Sequence, residues 1–400
     1  MTLQTKISHF AKGLGQSLLS LSFNLGGILA GTLLASNLEV LSATSWALLL
    51  FPGILSLRGA IGGLFCGRLS TGLHVGTVKA SYTRNTRRFY VILHSVITLT
   101  LASSVTMGLA GALFSAAFSG ITLADSLDIL AVTISTMGLS LVFISPITVG
   151  IAVLSFRKGL DPDVTVYPVI STVADVLVTL CYIIVLEGFF SSDVGRLSIT
   201  AFNMAFFLIV CYILVRDRAE PAFVKTMKEF LLTLTIVALI VNVTGSFLGK
   251  ISQAVGNRPE IYVVYPALID TVGDVGSIIG STATTNLTLG VLRPTFSSIK
   301  QHLAVVGAAW TASIIMFMFF SSTATLIQGL SVVNHPAEFA VRILFTNLSA
   351  VAAIVLIAYG VAIITYKKGL DPDNLVIPIE SSLADSITTL ALFMALTINF

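Results

Sequence analysis

Eleven stretches of this chain are apolar for about 20 residues or more, and that length alone restricts the folds open to it. They run approximately over 14–35, 44–66, 89–118, 128–155, 165–190, 197–215, 229–249, 261–283, 301–329, 338–365 and 374–399. A hydrocarbon core about 30 Å thick is crossed by about 20 residues of helix, and in lipid only helices and closed barrels satisfy every backbone polar group. No two-residue alternation runs through these stretches, so they read as helices rather than barrel strands. Composition agrees. Charged residues are 10% of the 400 and hydrophobic ones 55%, which is too little charge to cover a soluble globule of this size. The net charge of +3 is small and scattered, which argues against a nucleic-acid partner. Cys66, Cys181 and Cys211 lie in apolar runs without metal-ligand spacing, as buried small hydrophobes do. The basic start of the chain, residues 1–12, is followed by no small-residue cleavage site, so the first apolar stretch reads as a retained span.

Loop charge sets direction. With the N-terminus on the cytoplasmic side, 17 of the 22 basic residues fall in inner loops, from Lys6 and Lys12 through Arg157 and Lys158 to Lys367 and Lys368. Near the outer side stand only Arg196, Lys250, Arg258 and Arg342, and Arg58 falls within a span. A miscounted span would scramble this alternation, so the positive-inside rule supports eleven spans with the C-terminus outside. A multi-pass protein of the lipid bilayer, placed at the plasma membrane, is the expectation, and no stretch of the 400 residues reads as a soluble domain.

The chain also repeats itself. Arg157-Lys-Gly-Leu-Asp-Pro-Asp163 returns as Lys367-Lys-Gly-Leu-Asp-Pro-Asp373, and extending this match at an offset of 210 through Leu180 and Leu390 gives 13 identities in 24 positions. Such a match signals duplication. A second pair is Phe51-Pro52 with Arg58-Gly59 and Gly62, against Tyr265-Pro266 with Val272-Gly273 and Gly276. The expected organisation is a repeat over 1–190, a linker with one span over 191–228, and a repeat over 229–400. Five spans are an odd number, so two repeats joined directly would face opposite ways, and the single linker span restores a common direction. The fold class is therefore an all-α integral membrane protein, 5+1+5, with two parallel five-helix repeats about a pseudo-two-fold axis along the membrane normal.

Five acids fall inside spans: Asp175, Asp270, Asp274, Glu380 and Asp385. A charge at bilayer depth costs at least about 2.5–3.5 kcal/mol, so each is a functional candidate. Ser171, Asp175 and Thr179 recur at i, i+4 and i+8 on one helix face, and Ser381, Asp385 and Thr389 repeat that stripe. Asp270, Asp274, Ser277 and Ser281 form another, whose counterpart Ser56, Ala60, Gly63 and Gly67 is small rather than acidic. An all-oxygen, negative site suits a hard divalent cation better than a metal seeking thiols or imidazoles. Plainer roles compete. Any of these acids can hydrogen-bond a neighbouring helix. Arg58 can serve as a structural counter-ion, neutralising Asp270 or Asp274. Glu380 lies about 140° around its helix from Asp385. The Gly-Leu-Asp-Pro-Asp loops read as a helix stop at Gly159 and Gly369 and a helix start with Asp161 and Asp371 as caps and Pro162 and Pro372 in the first turn. Pro52 and Pro266 predict broken or kinked spans, and Gly59, Gly62, Gly63, Gly273 and Gly276 would let helices approach closely.

On these residues the chain resembles the MgtE and solute carrier family 41 group of divalent-cation transporters in its duplicated form. The motifs that carry the likeness are Pro52…Leu57-Arg-Gly59…Arg68-Leu-Ser-Thr71, Pro266…Val272-Gly-Asp274 and both Asp-Pro-Asp…Ala-Asp stretches. The resemblance implies Mg²⁺ transport along the pseudo-two-fold axis, with Asp175 and Asp385 as central ligands, Asp270 and Asp274 as further metal residues, and Ser171, Ser381, Thr179, Thr389, Gly59, Gly273, Glu380 and Arg58 lining or supporting the path. Family members often carry Asn where this chain has Ala60 and Asp274, so its halves are not equivalent. The cytoplasmic sensor of MgtE has no counterpart in this sequence, and its gating is not expected here. Mg²⁺ is the expected cargo, with Na⁺ or H⁺ as coupling ion and no organic cofactor, and one chain holding both repeats can work as a monomer. Another cation-coupled secondary transporter is the alternative. A remote one is an intramembrane aspartyl protease, whose Gly-x-Gly-Asp pattern meets only Thr271-Val-Gly-Asp274 here.

Overall fold

A computed structural model describes residues 3–398 apart from 45, 83, 120–121, 159–161, 256–257, 330–334 and 369–371. The described residues are mostly helical and include no strand. In chain order the helices are α1 (Leu3–Ser22), α2 (Leu25–Ser36), the short α3 (Leu38–Ser42), α4 (Ala47–His74), α5 (Arg87–Ser119), α6 (Leu123–Arg157), α7 (Pro162–Ser191), α8 (Asp193–Asp217), α9 (Pro221–Val255), α10 (Pro259–Thr288), α11 (Ile299–Gln328), α12 (Pro336–Lys368) and α13 (Pro372–Thr397). Among the described residues ten segments are long and apolar enough to cross a membrane, α1 and α2 together forming the first. They coincide with the first ten spans expected from the sequence, and the eleventh, 374–399, is the helix α13. Pro162 and Pro372 open α7 and α13; the caps and stops expected at Gly159, Asp161, Gly369 and Asp371 lie outside the described residues.

The expected breaks are elsewhere. α4 and α10 run without interruption through Pro52 and Pro266, because the turns around each proline are packed on all sides, with Phe51, Ile54, Tyr265 and Ala267 fully buried. Packing of that kind holds a helix across one missing N–H. The interrupted span is the first. After Ser22 the backbone passes through Phe23 and Asn24 in a pair of tight turns, closed by Asn24 N–H on the Leu21 carbonyl at 3.1 Å and Gly27 N–H on the Asn24 carbonyl at 2.9 Å.

The chain forms two compact units, unit I from Met1–Ser36 and Phe247–Phe400, and unit II from Asn37–Ser246. In unit I, α10 is central and packs on α2, α11, α12 and α13, while α1 lies on α11. In unit II, α4 packs on α5, α6 and α7, and α8 covers α5, α6 and α7. α9 brings Val241 against Gly53 and Gly245 against the Leu49 carbonyl. These contacts obey a single offset of 214. Gly31 meets Val263 as Gly245 meets Leu49, and Gly27 meets Ala267 as Val241 meets Gly53. Each compact unit thus takes the first helix of one half of the sequence and the second helix of the other. Glycine at 31 and 245 permits the approach, since a Cβ at either position would overlap a backbone carbonyl oxygen.

Candidate cation site

The two aspartates of the duplicated motif sit on α7 and α13 in matching local settings. The Thr179 hydroxyl donates to the Asp175 carbonyl at 2.7 Å, and the Thr389 hydroxyl donates to the Asp385 carbonyl at 2.7 Å. Both threonines are fully buried, so the i+8 position of each polar stripe faces the helix packing with its hydroxyl spent on the backbone. Ser171 and Asp175 are half-buried, as is Ser381, whereas Asp385 is buried.

Around that common frame the units differ. In unit I the Tyr265 hydroxyl lies 2.9 Å from the Thr389 hydroxyl, joining α10 to α13, and Asp270 and Asp385 are both within electrostatic reach of that phenol. Position 51 of unit II, the offset equivalent of Tyr265, is a phenylalanine, stacked on Tyr182 at 6.3 Å. Gly273 faces α13, with the Ser381 hydroxyl 3.7 Å from where its Cβ would stand. Gly59, its equivalent, is exposed with no described atom within 4 Å of such a Cβ, so among the described residues no helix makes the close approach expected there. It occurs instead at Gly27, Gly31 and Gly245.

Glu380 is buried, in the space left by Gly276 and Gly280 of α10, and its Oε1 finds no hydrogen-bond partner among the described residues. It meets α10 at Gly276 and Gly280, about 140° around α13 from Asp385. Its equivalent at the 210 offset is Ile170. Arg58 is buried in unit II. Asp175 lies within electrostatic reach of it. Its Nε and Nη2 lack hydrogen-bond partners among the described residues. Nη1 stands 3.4 Å from where a Cβ at Gly62 would project, so a glycine one turn on makes room for the guanidinium.

Asn24, in the break of the first span, was not singled out by periodicity or motif. Its amide nitrogen donates to Asp274 Oδ2 at 2.9 Å and to the Thr271 hydroxyl at 3.1 Å. An amide inside an apolar run of Phe23, Leu25 and glycines was the one available signal. Within neither unit do three or more His, Cys, Asp or Glu side chains of the described residues converge as a metal cage. Sparse carboxylates set among hydroxyls and carbonyls suit an ion that keeps much of its water, as Mg²⁺ does.

A family model described as "Divalent cation transporter" and named MgtE matches residues 51–185 and again 265–395. Solute carrier family 41 member 3 of Mus musculus is 24% identical over 367 residues, which covers 85% of this chain and 72% of that protein. The protein of the same name from Rattus norvegicus is 22% identical over 374 residues, covering 88% and 79%. No solved structure matches. Both matched segments begin at the Phe51-Pro52 and Tyr265-Pro266 pairs and end beyond the aspartates of α7 and α13.

Proposed function

The chain belongs to the MgtE family of divalent cation transporters, and from that premise we propose how its intramembrane residues pass the ion. It is a multi-pass membrane transporter and not an enzyme, which removes the aspartyl-protease alternative. In our reading Mg²⁺ is the ion carried, and Asp175 and Asp385 are its principal ligands. Ser171 and Ser381 extend those ligands, and Asp270 and Asp274 add negative charge along the path. Mg²⁺ sheds water reluctantly and demands octahedral oxygen coordination. Carboxylates that act largely through bound water can then hold it firmly enough to enter and loosely enough to leave. The observation that supports this assignment is the recurrence of one aspartate in both halves, each on the motif of the duplication and each with its carbonyl held by a threonine.

The finer features of the proposal are two five-helix repeats around the linker helix α8, a cytoplasmic N-terminus, residence in the plasma membrane, and function as a monomer. The experiment is Mg²⁺ uptake by the purified full-length protein in liposomes. Asp175→Asn combined with Asp385→Asn abolishes uptake if these are the ligands; uptake at the wild-type rate refutes the assignment. An imposed Na⁺ or H⁺ gradient forms a second arm. Acceleration of Mg²⁺ entry identifies a coupled carrier, and indifference identifies a channel.

A further inference from the structure

We propose that Asn24, at the break in the first span, is the positioning residue for Asp274, and that the pair tunes cation affinity in unit I. This inference rests on the reading of Asp274 as a cation-handling group. A carboxylate only accepts hydrogen bonds, so the Asn24 amide must present its nitrogen, and the two N–H bonds of that nitrogen go to Asp274 Oδ2 and the Thr271 hydroxyl. One oxygen of the carboxylate is thereby pinned, which fixes the plane in which the other can meet an ion or its water. Holding a ligand through a neighbour in this way is how outer groups tune metal affinity.

Three further observations support it. First, the backbone leaves its helix at residues 23–24 and nowhere else within that span, and the interruption places an amide where helix packing would call for an apolar side chain. Secondly, α2 is seated on α10 by Gly27 and Gly31 at backbone contact, so the distance from Asn24 to Asp274 is set by close packing rather than by a mobile loop. Asn24 and Asp274 are both half-buried and Thr271 fully buried. Thirdly, the duplication supplies an internal comparison. The 214 offset that carries the Gly31–Val263 contact to Gly245–Leu49 carries Asn24 to Ala238, Asp274 to Ala60 and Thr271 to Leu57. Where the carboxylate is absent, its amide and hydroxyl partners are absent too. Residues that serve only to interrupt or pack a helix have no reason to disappear together.

The test is a double-mutant cycle on Mg²⁺ uptake by the full-length protein in liposomes, with Asn24→Ala, Asp274→Ala and both. Losing a hydrogen bond to a charged group predicts a rise in KM of about tenfold or more in Asn24→Ala. Vmax should stay within about twofold, and the double variant should transport no worse than Asp274→Ala alone. Asn24→Ser keeps a turn-compatible residue at the break but cannot span to Asp274, and its KM should rise as in Asn24→Ala. The inference is overturned if Asp274→Ala impairs uptake while Asn24→Ala leaves KM unchanged, if the two effects add, or if Asn24→Ser restores the wild-type KM. If Asp274→Ala itself leaves KM unchanged, the reading of Asp274 falls and takes this inference with it.

Discussion

Replacing Gly31 by alanine tests the packing that seats α2 on α10. A Cβ at Gly31 would stand 2.1 Å from the Val263 carbonyl oxygen and 2.6 Å from that of Tyr262. Real Cβ atoms essentially never come within 3.0 Å of another heavy atom, so α2 must retreat by about 0.9 Å. The obstacle is backbone, with no flexible side chain to swing away. A gap of about 0.5–1 Å forfeits a quarter to a half of the dispersion well along the contact. That loss would fall on Gly27, Ile28 and Leu34, all buried in α2. Overpacking of this kind costs about 1–3 kcal/mol, and a rigid obstacle points to the upper end, about 3 kcal/mol. The assay is denaturant unfolding of the purified protein in detergent micelles, with Gly249→Ala as the control. Nothing lies within 4 Å of a Cβ at Gly249 in α9, and helix propensity alone should there stabilise by up to about 1 kcal/mol. If Gly31→Ala unfolds at the same denaturant concentration as wild type while Gly249→Ala shifts as expected, the close approach of α2 and α10 is wrong.

Two further outcomes follow from the site. Arg58→Met removes a cation within electrostatic reach of Asp175, so in a double-mutant cycle with Asp175→Asn the two changes should couple by about 0.5–3 kcal/mol; thermal unfolding of the three proteins decides it, and strictly additive effects would refute the pairing. Tyr265→Phe removes the hydroxyl contact to Thr389 and should cost about 1 kcal/mol without altering the fold, since Phe51 fills the equivalent place in unit II; a loss above about 3 kcal/mol in the same unfolding assay would mean the phenol holds more than Thr389.

The spans were legible because hydropathy over about 20 residues reports burial in lipid directly. The duplicated aspartates were legible because charge inside such a span is costly enough to stand out. What stayed hidden is instructive. The interruption at Phe23 and Asn24 spans two residues within a long apolar run and barely changes its hydropathy, while Pro52 and Pro266, the conventional breakers, are overruled by the packing around Phe51 and Tyr265. The partner of each glycine was hidden too. Gly31 in sequence shows only that a neighbour comes close, and its identity, Val263, is a tertiary fact. The stripe of Ser171, Asp175 and Thr179 was visible as a helix face, yet period alone could not separate the half-buried serine and aspartate from the threonine buried against the backbone. Arg58 offered a charge without an address, and only the fold brings it within electrostatic reach of Asp175.

The exchange of first helices has a consequence for biosynthesis. Asn24 and Asp274 are separated by 250 positions along the chain. At about 5–20 residues per second, synthesis of that interval takes on the order of 10–50 s. Through that time α2 is in the bilayer with its glycine face turned to lipid or to provisional neighbours, because the ridge of α10 that it fits has yet to emerge from the ribosome. α9 meets no such delay, since α4 is already inserted when it arrives. The two halves share an offset and a contact geometry but mature in opposite order, with unit II closing first and unit I completed by a helix made at the very start.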